Sequence, residues 1–210
     1  MDKGMTLRNL RITRDGQPLV GLDRAIAAGE VLTVMGPSGV GKSTLLAAIT
    51  GTLGPAFKCS GEIWLDSHEI SNAAPHERRV GILFQDDLLF PHLSVAENLA
   101  FGLRPGGSRT QRRAQIDAAL SEIDLDGFAD RDPATLSGGQ KARVALMRML
   151  LSEPCALLLD EAFSGLDAAL REQMRTLVFE RAKARSLPVL MVTHDTEDAA
   201  AAGGDVIRLA

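Results

Sequence analysis

The sequence predicts an α/β fold, and three observations carry that prediction. Short apolar runs, among them VLTVM (31–35), VGILF (80–84), CALLLD (155–160) and PVLMVT (188–193), alternate with segments of helical character. The last two runs are almost wholly apolar, as parallel strands buried on both faces are. A glycine-rich stretch, GPSGVGKST (36–44), lies between the first run and the helix-compatible LLAAIT. That is the strand, loop and helix context in which a loop gathers free backbone NH groups.

The remaining elements follow in order. Residues 7–12 and the EIWL run (62–65) are expected to form an antiparallel N-terminal portion. Helices are expected after the 36–44 loop, over 94–103, 109–123, 138–151 and 167–184, and briefly after Asp195, with the strand-like DVIRLA (205–210) closing the chain. No strand pattern separates the 94–103 and 109–123 helices. Residues 91–132, with RPGGS and the helix stop DLDGF, are therefore expected to be a helical insertion extending toward the 138–151 helix. At 210 residues the chain suits one domain, with a core of 1–90 and 133–210 around that insertion.

Composition narrows the function classes. A hydrophobic content of 45% with 24% charge describes a globular chain rather than a disordered or membrane-embedded one, and no uncharged apolar run approaches the roughly 18 residues of a spanning helix. MDKGMTLRNLRIT lacks the apolar core of a signal peptide, so the expected location is the cytosol, with any membrane role through a partner. A net charge of -4 with interspersed signs argues against a general nucleic-acid binder. The basic stretch SRTQRRAQ (108–115) is expected to be a solvated helix start, and Cys59 and Cys155 to be reduced structural thiols.

The chemistry begins in the glycine-rich loop, which fits G-x-x-x-x-G-K-[ST]. Gly36, Pro37, Ser38, Gly39, Val40, Gly41 and Thr44 frame it, with Gly39 and Gly41 letting NH groups bend toward phosphate oxygens. Lys42 can place its ammonium on the β- and γ-phosphates of a nucleotide, and the Ser43 hydroxyl can ligate Mg²⁺. The expected counterpart is an acid at the end of a neighbouring buried strand, which CALLLDE supplies. Asp160 can hold the magnesium through its water shell, and Glu161 can act as general base on a water attacking the γ-phosphate. A second anion-suited element lies about a hundred residues on: in TLSGGQKARVAL a serine and two glycines precede an Arg-rich helical pattern.

GPSGVGKST, FQDDLLFPHLSV, LSGGQ, LLLDE, SGLD and THD, in that order over almost the whole chain, resemble the ATP-binding subunit of an ABC transporter. LSGGQ paired with the phosphate loop is the most specific part. The resemblance implies a P-loop NTPase core of the ABC type, ATP and Mg²⁺ as ligands, and a head-to-tail homodimer in which each signature closes the other subunit's ATP. It also implies roles by position. Gln85 touches the magnesium and the attacking water; Ser137, Gly138, Gly139 and Gln140 form the signature; Asp167 belongs to the SGLD loop; His194 contacts the γ-phosphate. His68, His76 and His92 lack such context and are expected at the surface.

The wording around GILFQDDLLF and the short insertion resemble bacterial importer-type cassettes. That implies separate transmembrane permease subunits, a periplasmic or extracellular substrate-binding protein, and a peripheral place on the cytoplasmic face of the inner membrane. The expected permease contact is the groove beside Gln85, with Leu88, Leu89 and Phe90 either lining it or buried in the core. Export, lipoprotein release or ribosome remodelling by an ABC-type ATPase is the alternative. A P-loop kinase would have no use for LSGGQ, and a non-enzymatic nucleotide binder would require a disabled site. Three departures from the family pattern stand out. Arg14 occupies the region where an aromatic residue usually stacks on adenine, Ala162 replaces the proline usually found after the glutamate, and no C-terminal regulatory domain of the kind some importers carry is expected.

Overall fold

The structure is a computed structural model that describes residues 3–209, so Met1, Asp2 and the last residue of DVIRLA, Ala210, lie outside it. β1 (Gly4–Arg14) and β2 (Gln17–Ala27) form an antiparallel hairpin turned by Asp15 and Gly16 at φ of 50° and 79°. Two consecutive positive φ values are what a two-residue hairpin loop needs to match strand twist, and Asp-Gly is a preferred pair for it. β2 is absent from the sequence-based expectations because Gly21, Asp23 and Arg24 interrupt its apolar alternation. β4 (Phe57–Leu65) pairs antiparallel with β1, and the two-residue β5 (His68–Glu69) completes a sheet of order β2-β1-β4-β5. The EIWL run is thus the end of a strand twice as long.

The second sheet joins β6 (Val80–Phe84), β7 (Ala156–Asp160), β8 (Val189–Thr193), β3 (Val31–Met35) and β9 (Asp205–Arg208) in that order, every pair parallel. Alternate side chains of its central strands enter two different cores, as a strand period of two requires. Ala156, Leu158, Leu190 and Val192 pack with the antiparallel sheet and with α1 (Lys42–Thr50). Leu157, Leu159, Val189 and Met191 pack with the helices of the opposite face. These are α2 (Val95–Gly102), α3 (Arg109–Glu122), α4 (Gly138–Leu150) and α5 (Ala168–Ala184). Burial on both faces explains why these strands are continuous apolar runs.

The helix starts are written locally. Ser94 with Glu97 and Ser108 with Gln111 form capping boxes at α2 and α3, so the basic stretch at 108–115 is an exposed, capped helix start. α1 ends at Gly51, at φ 78°, and the buried Arg78 guanidinium donates to the Ala48 and Ile49 carbonyls of its last turn and to Ser71 and Ala73. A short final helix, α6 (Thr196–Ala202), follows β8. Among the described residues no helix is long and apolar enough to cross a membrane. Cys59 and Cys155 are unpaired, and His68, His76 and His92 are exposed.

Candidate nucleotide site

Register places the site. Phe84 pairs with Asp160, Asp160 with Val192 and Val192 with Val34, one row across four parallel strands, and Thr193 pairs with Met35 one residue further on. Gln85, Glu161, His194 and Gly36 each follow that row within two residues of it. All four loops therefore leave the same carboxyl edge of the sheet, where ligands of open α/β sheets bind.

The phosphate loop springs from β3 and runs into α1. Gly39 and Gly41 take φ of 84° and 105°, a region costly for other residues. Gly41 has a second constraint, since a Cβ there would come within 2.6 Å of Val20 Cγ2 on β2. The missed strand thus packs over the loop and keeps it tight. Lys42 is 5% exposed, and its Nζ donates to the carbonyls of Gly36 at 2.7 Å and Pro37 at 3.1 Å. Pro37, Ser38 and Gly39 are exposed, and Val40 and Thr44 are half-buried.

A chain of short polar contacts crosses the loops. Lys42 Nζ lies 3.7 Å from Glu161 Oε1, and Glu161 Oε2 lies 3.2 Å from His194 Nδ1. The Ser43 hydroxyl donates to Asp160 Oδ1 at 3.4 Å. Burial raises the Asp160 carboxyl above its ordinary value; the Ser43 hydrogen bond and Lys42 oppose this, and neighbouring Glu161 adds to it. A half-buried carboxylate beside a hydroxyl is an all-oxygen donor pair that suits a hard cation keeping most of its ligands as water and phosphate, as Mg²⁺ does. No cluster of three or more His, Cys, Asp or Glu side chains able to hold a metal occurs among the described residues, in keeping with so sparse a protein donor set.

Glu161 takes φ 49°, left-handed backbone that non-glycine residues rarely adopt. Its NH donates to Val192, and its carbonyl accepts from the Ser164 NH and hydroxyl, so the turn holds it there. A proline at 162 would push residue 161 toward extended backbone; Ala162 leaves it free to take this one.

Two clusters lie outside the sequence-derived set. Arg171 on α5 donates to Asp195 Oδ2 at 2.9 Å and to the Ser164 and Leu166 carbonyls at 3.4 and 3.3 Å, tying the SGLD loop to the turn after His194. Arg175 Nε donates to the fully buried Asp198 at 2.7 Å, and Asp198 in turn accepts from Thr193. Nothing in the sequence marks these links, because each pairs residues of two elements; only the arginine spacing of four along one helix hints at a shared face.

The signature stretch divides. Ser137 caps α4, accepting from the Gln140 NH at 3.3 Å while Gln140 Oε1 accepts from the Ser137 NH at 2.9 Å, so Gln140 builds the helix start. Gly139 is buried, and a Cβ there would collide with Leu170 of α5. Gly138 is exposed with open space at its Cβ position. No hydrogen bond or ion pair joins residues 137–140 to the phosphate loop among the described residues. Asp167 is exposed and caps α5 through the Leu170 NH, and the exposed Gln85 lies beside Gly165 of the SGLD loop. Arg14 stands at the end of β1 with its guanidinium 5.7 Å from the Phe57 ring centre.

Residues 19–164 match the protein family described as ABC transporter. The chain belongs to that family. As an ABC ATPase it binds and hydrolyses ATP and serves as the ATP-binding subunit of a transporter. It is 47% identical over 180 residues to YnjD of Escherichia coli (strain K12), an uncharacterized ABC transporter ATP-binding protein, covering 86% of this chain and 83% of that protein. It is 46% identical over 189 residues to the thiamine import ATP-binding protein ThiQ of Cereibacter sphaeroides, covering 90% and 80%. The solved structure of cbiO1 from Clostridium perfringens, part of the ABC transporter complex cbiONQ, superposes on this ABC ATPase with a TM-score of 0.86 at 31% identity, covering 100% of this chain and 85% of that one.

Proposed function

We propose that this ABC ATPase energises import through separate transmembrane permease subunits, working as a homodimer on the cytoplasmic face of the inner membrane beside a periplasmic or extracellular substrate-binding protein. The observation that carries the catalytic part is the Glu161 carboxylate, held between Lys42 and His194 at one end of the sheet. Lys42 leaves the Gly36 and Pro37 carbonyls for the β- and γ-phosphates, and Gly36 to Thr44 wrap the phosphate chain with NH groups. Ser43, Asp160 and Gln85 would hold Mg²⁺, and the ion would supply neutralisation of phosphate charge. Glu161 accepts a proton from the attacking water, and His194 contacts a γ-phosphate oxygen. Ser137 and Gly138, open and unattached to their own phosphate loop, close the partner subunit's nucleotide. Residues 91–132 are the helical subdomain that carries the signature toward it.

Import is supported by likeness to a thiamine import ATPase and to the molybdenum import ATPase ModC of Mycobacterium tuberculosis, 44% identical over 182 residues, although the chain spans only 49% of ModC. The test has two parts. Purified protein should release phosphate from ATP only with Mg²⁺, and Lys42→Ala should abolish both release and nucleotide binding. Tagged protein recovered from native membranes in mild detergent should bring down a multi-spanning permease together with a substrate-binding protein. Recovery of ribosomes or of soluble enzymes alone would contradict the transport reading.

A further inference from the structure

A buried polar network that the nucleotide chemistry leaves unused lies beneath the turn carrying His194. Asp198 of α6 is 1% exposed, and Thr193, the last residue of β8, is 2% exposed. Both oxygens of the Asp198 carboxylate are engaged: Oδ1 accepts from Arg175 Nε of α5 at 2.7 Å, and Oδ2 accepts from the Thr193 hydroxyl at 3.2 Å. The Thr193 oxygen in turn accepts from the Asp195 NH at 3.0 Å. A threonine hydroxyl bonded to the backbone NH two residues on closes a turn around the residue between them. That residue is His194. Its side chain is 58% exposed and meets Glu161 Oε2 at 3.2 Å, so the ring has little packing of its own to aim it and depends on the backbone beneath.

The residue after His194 is gripped as well, since Asp195 accepts from Arg171. Arg171 and Arg175 lie one turn apart on α5, and Asp195 and Asp198 lie three residues apart at the start of α6, so two ion pairs bind one helix face to the other. A buried ion pair often adds little stability over apolar side chains of the same volume, and what such a network supplies is a fixed arrangement of its members. We propose that Asp198 and Thr193 are positioning residues for the reaction. Asp198, held by Arg175, fixes the direction of the Thr193 hydroxyl, and that hydroxyl sets the His194 backbone so that the ring faces Glu161 and the γ-phosphate. This rests on the reading that His194 contacts the γ-phosphate, and it adds what aims the ring there.

The test follows the ring directly, by NMR of the nucleotide-free full chain with labelled histidine. The chain has four histidines, and His68, His76 and His92 are exposed elsewhere in it, so their signals serve as internal controls for the fold. The His194 signal is the one absent from His194→Ala. Thr193→Val, which keeps the branched shape and removes the hydroxyl, should displace that signal and leave the other three in place. Asp198→Asn should displace it less, since one oxygen remains to accept, and Thr193→Ser should restore it. In parallel, Thr193→Val should lower turnover at saturating ATP on the order of tenfold with the affinity for ATP unchanged. In the His194→Ala background it should add no more than about a twofold loss, because its effect runs through the ring. Where His194→Ala itself loses turnover, a His194 signal that stays in place in Thr193→Val, turnover that Thr193→Val leaves intact, or the same loss repeated without the ring would each overturn the proposal. Full turnover in His194→Ala with a displaced signal would instead remove the γ-phosphate contact and keep Thr193 as what aims the ring; an unmoved signal there would remove both.

Discussion

Glu161 touches both Lys42 and His194, and its replacement divides binding from chemistry. Glu161→Gln keeps the shape and removes the proposed base, so ATP affinity should hold while phosphate release falls by about 10²–10⁴-fold, measured as affinity against turnover in the same preparation. Two neighbouring glycines make a sharper structural contrast. Gly139→Ala forces a methyl group into Leu170 and should lower stability by about 1–3 kcal/mol in denaturant unfolding, whereas Gly138→Ala, with open space before it, should leave stability close to the native value. The placement of Lys42, Ser43, Asp160, Glu161 and His194 at one edge was legible in the sequence, because a loop-to-helix motif holds the first two and a strand end lies at or just before each of the others. The division of labour within LSGGQ was not, because the packing of Gly139 depends on a leucine about thirty residues away on another helix.

Arginines set the element scale. Arg171 joins the SGLD loop of α5 to the turn between β8 and α6, so it positions the loops around His194 without touching nucleotide. Arg171→Ala should reduce turnover severalfold or more with the affinity for ATP unchanged, and Arg171→Lys, able to meet Asp195 but not both carbonyls as well, should recover part of it. A parallel loss of affinity would point to general disorder of the site instead. Asp195 accepts NH groups from Glu197 and Asp198 and faces Arg171 and Arg175; burial works against these bonds, yet together they hold its carboxyl below the ordinary value. Its contribution to stability is therefore full above about pH 3.9 and is lost as pH falls through the lowered folded value. The melting-temperature gap between wild type and Asp195→Asn should be widest near neutrality and close in acid. Arg78→Met, which leaves the end of α1 without its donor, should cost about 2–4 kcal/mol. The strands and helices themselves were largely readable from period and capping residues. β2 was the exception, although its Asp15-Gly16 turn is a hairpin signal in plain view; the charged residues that hid it face outward from an antiparallel sheet with one wet side.

The whole molecule is organised by the carboxyl edge of one parallel sheet. Phosphate loop, Gln85, Asp160 with Glu161, and His194 leave it side by side, and half-buried arginine clamps carry that geometry outward, Arg171 toward the SGLD loop and Arg148 toward the strained, exposed Leu88. The order of motifs in the chain foretold the edge; the clamps belong to the folded state, where residues about sixty apart in sequence meet. The capped, open end of α4 at Ser137 and Gly138 remains unattached to its own phosphate loop, and the proposed homodimer gives it a nucleotide to close. The most direct measurement is the mass in solution of Glu161→Gln with saturating ATP and Mg²⁺, by light scattering. The shared-site account predicts that this variant doubles in mass on adding ATP, and that Ser137→Arg in the same background stays single while still binding ATP as a monomer. A Glu161→Gln protein that binds ATP yet keeps the mass of one chain would contradict it.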